Sequence, residues 1–152
     1  MKNKKYYIYY GISSTEKYNE TETIFLQQKL LDEYVWENNL NVIREYEDSD
    51  ESGENRTEWD AMMRSIESKK ANCIIVYDES ILSTDFQSAN YLISLLDIGV
   101  IKEIRSITTT YGNDPASKLL LTIKLGLINF DRYDGNQINR KRIVLNNFIN
   151  KK

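Results

Sequence analysis

A chain of 152 residues, 41% hydrophobic and 28% charged, is long enough to form one globular domain with its own core and no covalent or metal staples. It has one cysteine, Cys73, and no histidine, which excludes an intrachain disulfide, the commonest general base and the commonest zinc ligand, and makes the cytoplasm the expected compartment. A net charge of −3 and the lack of a membrane-length apolar run argue against a broadly basic nucleic-acid surface and against a membrane protein.

Strand and helix patterns alternate along the chain. KYYIYYGI, residues 5–12, is aromatic and β-branched and reads as a strand. Residues 20–39 carry Ile24, Leu26, Leu30, Leu31, Tyr34 and Val35 at close to helical spacing. LNVIREYE, 40–47, is a second strand, and DSDESGENR, 48–56, a polar loop. In the helix expected over 57–70, Trp59, Met62, Met63 and Ile66 share one side, and Thr57 is placed to cap it. ANCIIVYD, 71–78, is apolar without alternation, as in a strand covered on both faces, and Cys73 within it reads as a small core residue. A helix over 85–99 ends at Gly99, and a fourth strand occupies 100–109.

Asp114 and Pro115 have the chemistry of a helix start, and the helix they open reaches Tyr133. Asp134-Gly135 reads as a break, which divides the chain into a domain at 1–133 and a basic tail at 134–152 able to form a short helix. On the long helix Leu119, Ile123, Leu127 and Phe130 form one stripe. Leu120, Leu121, Leu125 and Ile128 widen the apolar surface beyond what one sheet can cover. The helix is either buried centrally or shared with another subunit; a domain this small has few further elements to cover it, which favours sharing. The order of elements predicts an α/β fold, with a mostly parallel four- to five-stranded sheet flanked by helices.

Charge is distributed unevenly. Between Glu45 and Asp60 eight acids face one base, Arg56, whereas from Arg140 to Lys152 there are five bases and no acid. Asp48, Asp50, Ser52 and Gly53 match the opening of a calcium loop, but Trp59 stands where its bidentate glutamate belongs. The tyrosines of the first strand suit core packing better than base stacking.

In open α/β sheets, sites lie at the carboxyl ends of strands, which brings Ser13 and the 48–56 and 78–84 loops to one edge. There the sequence resembles the N-terminal catalytic domain of the serine recombinases, the resolvases and invertases, over about residues 5–142. YGIS stands where that family has a strand ending Tyr-x-Arg-Val-Ser, with Ser13 at the nucleophile. Gln27 falls on the glutamine of the following helix, and DESGENRTEW resembles a Ser-Gly loop leading to a phosphate-contacting arginine, here Arg56. NDPASKLL resembles the start of the family's long dimerisation helix, and Asp131-Arg132 falls on its acid-arginine pair.

The resemblance implies that Ser13 attacks a DNA phosphodiester and forms a phosphoserine link, which a 3′ hydroxyl later reverses after subunit rotation. It implies no metal and no cofactor. It assigns Ser13, Arg56 and Arg132 to catalysis and Gln27 and Asp131 to support. Arg140, Lys141 and Arg142 in the basic tail are the expected DNA contacts. A serine hydroxyl needs activation, and a phosphate gaining charge needs fixed cations, for which guanidinium is well suited.

Three of those cations are absent. Gly11 stands at the strand-end arginine, and SILST replaces Asp-Arg-Leu-x-Arg, so that Ser80 takes the place of the acid and Ile81 and Thr84 those of arginines. Losing one such donor typically costs about 10²–10³ in rate. The expectation is therefore a catalytically impaired, recombinase-like domain. It would serve as an oligomerisation or regulatory module, paired through the 115–133 helix with its own kind or with an intact recombinase. The alternative is an active site-specific DNA recombinase that uses Ser13 with cations supplied by Lys17, Arg105 or a partner subunit. Family members usually carry a separate DNA-binding domain after the long helix, for which this sequence leaves only a tail.

Overall fold

A strand of four tyrosines and an isoleucine is buried on both faces only if each hydroxyl finds a partner. The computed structural model describes residues 3–12, 20–49 and 55–150, the side chains of 20–23 and 134–150 excepted. In it this strand, β1 (Tyr6–Tyr10), is buried throughout. Tyr6 donates to Glu103, Tyr9 to Asp48 at 2.8 Å and Tyr10 to Glu45 at 3.2 Å, while Tyr7 shares a 2.6 Å hydrogen bond with Ser65. Packing, not base stacking, is the work of these rings.

The remaining elements are α1 (Glu20–Glu37), β2 (Val42–Glu47), α2 (Thr57–Glu67), β3 (Cys73–Val76), α3 (Phe86–Asp97), β4 (Glu103–Arg105), β5 (Thr110–Tyr111) and α4 (Pro115–Asn150), with a 3₁₀ turn at Glu79–Ile81. The sheet order is β2-β1-β3-β4-β5. The first four strands are parallel and β5 runs back along β4. The fold is thus the α/β class expected from the sequence. Of the strand expected over 100–109 only Glu103–Arg105 forms, because Ser106 N–H donates to Thr109 O at 2.9 Å and turns the chain back into β5.

Alternation along β1 divides the core. Tyr7 and Tyr9 pack with Met62, Ile66, Leu92, Leu96, Leu121 and Leu125 from α2, α3 and α4 on one face. Tyr6, Ile8 and Tyr10 pack with Ile24 and Leu31 from α1 on the other, beside Cys73 and Ile75. Each fully buried aliphatic side chain contributes roughly 1.5–3 kcal/mol. Burial pushes the Cys73 thiol up to about 12, so it behaves as an inert core group. Leu26, assigned to the buried stripe of α1, is half exposed, because the face toward β1 is filled by Ile24, Gln27 and Leu31.

Helix ends follow local chemistry with one correction. Asp85 and Ser88 form a capping box on α3, whose far end is followed by Gly99 at φ +83°. Asp114 accepts from Ser117 N–H at 3.0 Å at the start of α4. Thr57, the expected cap of α2, instead donates to Asn55. The orphan N–H groups of Glu58 and Trp59 are taken at 3.0 and 2.9 Å by Asp48, from the end of β2.

The break expected at Asp134-Gly135 is not there: α4 continues through both residues to Asn150. A single interior glycine costs only about 1 kcal/mol, too little to halt a helix that is already propagating. Leu121 and Leu125 of α4 are fully buried, but Leu119, Leu120, Ile123, Leu127 and Phe130 are each more than half exposed. No helix among the described residues is long and apolar enough to cross a membrane.

At the amino ends of β1, β3 and β4 the carboxylate of Glu103 is buried. It receives Tyr6 Oη, Lys4 Nζ at 3.1 Å and Arg105 Nε at 2.9 Å. Burial alone would raise its pKa, but hydrogen bonds from Tyr6, Arg105 and Lys4 outweigh it and hold the carboxyl below the ordinary value. A depressed folded-state pKa stabilises above the unfolded value, and that stability is lost as pH falls through the folded one. Urea denaturation should therefore show Glu103→Ala destabilised by about 3 kcal/mol at neutral pH, since it leaves Arg105 partly buried without its acid. The penalty should shrink as the pH is taken below the carboxylate range.

Candidate active site

The carboxyl ends of β1, β2 and β3 meet at one edge of the sheet, and the chain leaving each carries polar groups toward the others. Beyond β1 lie Gly11 and Ile12; Ser13 lies outside the described residues. Gln27 from α1 is almost fully buried, and its side-chain amide brackets the Gly11 peptide. Its Nε2 donates to Gly11 O at 2.8 Å, and its Oε1 accepts from Gly11 N at 3.4 Å. Gln27 thus holds the backbone two residues before Ser13 without entering the cleft.

Asp48, after β2, links β1 to α2 through Tyr9 Oη and the α2 amides. This sets Arg56, the residue just before α2, over the ring of Trp59 at 4.1 Å and of Tyr9 at 5.3 Å. Arg56 Nη2 donates to Ile81 O at 3.0 Å. Arg132 arrives from α4. Its Nη1 donates to Ser83 O and to Asn129 Oδ1, the latter at 3.0 Å, and its Nη2 donates to Ser80 O. Asn129 Nδ2 in turn donates to Ser83 Oγ at 3.1 Å. Both arginines line one cleft with Tyr9, Asp48, Ile81 and Thr84.

The two guanidiniums affect one another. Burial lowers the pKa of each. The charge of Arg56 lowers Arg132 further, with Asp85 acting against it. Tyr9, Asp48 and Asp60 partly restore Arg56. Two cations turned into one cleft form a place for an anion. A metal is another matter: among the described residues no group of three or more histidine, cysteine or carboxylate side chains is placed to hold an ion.

Residues 6–142 match the sequence model of the family described as Resolvase, N terminal domain. The chain belongs to that family. None of the curated proteins matches it. Among solved structures it is similar to a resolvase family site-specific recombinase from Streptococcus pneumoniae, at 22% identity and TM-score 0.63 over 92% of this chain and 99% of that one. It is also similar to the N-terminal catalytic domain of TP901-1 integrase, at 23% and 0.59 over 86% and 98%. The C-terminal catalytic domain of ISC1926 TnpA, an IS607-like serine recombinase, matches at 17% and 0.53 over 79% and 76%. These likenesses support the resolvase-type fold.

Within this resolvase-type domain the other residues singled out in the sequence are dispersed. Asp131 is exposed on α4 and does not line the cleft. Arg140, Lys141 and Arg142 lie on the backbone of α4, with side chains outside the described set, as is Lys17. Arg105, considered as a replacement cation, is held by Glu103 and by Tyr34 Oη at 3.2 Å and takes no part in the cleft. Asn129 and Asp48 were not foreseen here. Asn129 could have been found from its place three residues before Arg132 on one helix face.

Gly11 and Ile81 are packed together. Ile81 is buried, and a Cβ built on Gly11 would lie 2.9 Å from Ile81 Cγ2 and 2.7 Å from Tyr9 Cε2. Any side chain at position 11 therefore collides with Tyr9 and with Ile81. Gly11→Ala should destabilise by about 1–3 kcal/mol in denaturant titrations. In an Ile81→Ala background the part of that cost due to Ile81 should vanish while the contact with Tyr9 remains, and a double-mutant cycle with no coupling would contradict this packing.

Proposed function

We propose that this resolvase-type domain receives a DNA phosphodiester at Arg56 and Arg132 but contributes little strand cleavage of its own, acting instead as an oligomerisation or regulatory module through α4. The carrying observation is the composition of the cleft. Two arginines converge on it, while the positions at which the resemblance leads one to expect further cations are Gly11, Ile81 and Thr84. Two guanidiniums suffice to hold a phosphate by charge-assisted hydrogen bonds. Transition-state stabilisation, which grows with each donor aimed at the developing charge, is what the missing groups would have supplied. An active recombinase remains the second reading, favoured by the retention of both arginines near the end of β1.

The two readings differ in one covalent product. In attack, the Ser13 Oγ–P bond forms as a P–O bond to the DNA 3′ oxygen breaks, which leaves a phosphoserine and a free 3′ hydroxyl. Incubation with supercoiled DNA, followed by denaturing electrophoresis, should give no protein–DNA adduct. An adduct that disappears in Ser13→Ala would establish the active recombinase instead.

Partnering rests on the exposed stripe of α4, where Leu119, Ile123, Leu127 and Phe130 follow one another at helical spacing. A second copy, or an intact recombinase subunit, would bury it. Leu127→Glu should weaken self-association about 100-fold or more in sedimentation, since a symmetric contact loses two leucines at roughly 1.5–3 kcal/mol each. The monomer fold should be unaffected, because Leu127 is already exposed.

A further inference from the structure

The carbonyl oxygens that meet the two arginines come from one segment. Ser80 O and Ser83 O accept from Arg132, and Ile81 O accepts from Arg56. A peptide oxygen is a neutral but partly negative acceptor, so it occupies N–H groups that an anion's oxygens would use.

The same segment and the residue before it are held at several points. Asp78 Oδ2 accepts from Ser80 N at 3.0 Å and from Ser80 Oγ at 2.6 Å. Tyr111 Oη donates to the buried Glu79 at 2.6 Å. Ile81 is packed into the space beside Gly11. Asn129 holds Ser83 Oγ. With the segment in place the cleft is narrow, with only about 10 Å³ accessible to water.

We propose that residues 80–83 are an internal occupant of the arginine cleft, an autoinhibitory latch whose main-chain carbonyls stand where phosphate oxygens would bind. A phosphodiester enters only when the segment withdraws from Arg56 and Arg132. The inference rests on the phosphate-binding reading of the cleft. It adds that the resting domain is closed by its own backbone, with Ile81 and Ser83 as the residues that keep it closed. The closed form is poised to open, since guanidinium bonds to a charged phosphate are stronger than those to a neutral carbonyl. The measured affinity is then the affinity of the open form reduced by the fraction open.

The test uses the full chain, Ile81→Ala, and the milder Ser83→Ala in case the first does not fold. Amide hydrogen exchange is followed across 79–84, and binding of a fluorescent duplex oligonucleotide is followed by anisotropy at fixed salt. Both variants should exchange faster in this segment and bind the duplex about tenfold more tightly. Exchange unchanged in both variants overturns the latch. Faster exchange, with duplex affinity equal to that of a wild type that does bind, overturns the latch and leaves the phosphate cleft standing. No binding by wild type or by the released variants overturns the phosphate reading and the latch with it.

Discussion

Two like charges share a half-buried cleft at the carboxyl edge of the sheet, and much of the surrounding structure serves to hold them there. Guanidinium does not give up its proton at neutral pH, so burial and mutual repulsion must be offset by neighbours rather than by neutralisation. Arg56 lies against the rings of Trp59 and Tyr9, and Arg132 is received by peptide carbonyls and by Asn129. Carbonyl dipoles and ring faces stabilise a cation without cancelling it. The pair therefore stays charged while neighbouring groups offset its burial.

The β1 strand connects that cleft to the core. Tyr9 packs against Trp59 with ring centroids 4.9 Å apart, and its hydroxyl anchors Asp48. Asp48 caps α2, and the start of α2 places Arg56. Gln27 fixes the strand's exit from the opposite face. One short strand thus couples sheet packing, a helix terminus and a cation. The packing of Tyr9 and Ile81 against Gly11 is part of the same arrangement, because Ile81 belongs to the segment whose carbonyls meet the arginines.

Where local chemistry decides, the sequence was readable. Both-face burial of CIIV, the apolar side of α2, the Asp114 cap and the stop at Gly99 all follow from patterns a few residues long. Arg56 and Arg132 were found through the resemblance and do converge. Elsewhere distance defeated the reading. The α2 cap comes from Asp48, ten residues from Glu58, and no local rule points to it. Leu26 sits in an apolar run yet faces outward, since α1 presents only a narrow stripe to β1. The two-residue β5 is too short for a periodic signal. Arg105 looked available only because its acid, Glu103, was not known to be buried beside it.

The sequence alone determined that this chain is an α/β domain of the resolvase kind with a long helix carrying a wide apolar surface. Periodicity, end signals and residue identity are local properties and survive without coordinates. Only the tertiary structure decided that Arg56 and Arg132 line one cleft, that Tyr9 and Ile81 crowd position 11, and that the carbonyls of one stretch of backbone accept from both arginines. Those facts depend on contacts among residues 25 to 70 positions apart in the chain, such as Arg56 with Ile81, Gly11 with Ile81 and Arg132 with Ser80. Such contacts exist only once the sheet has brought its strand ends together.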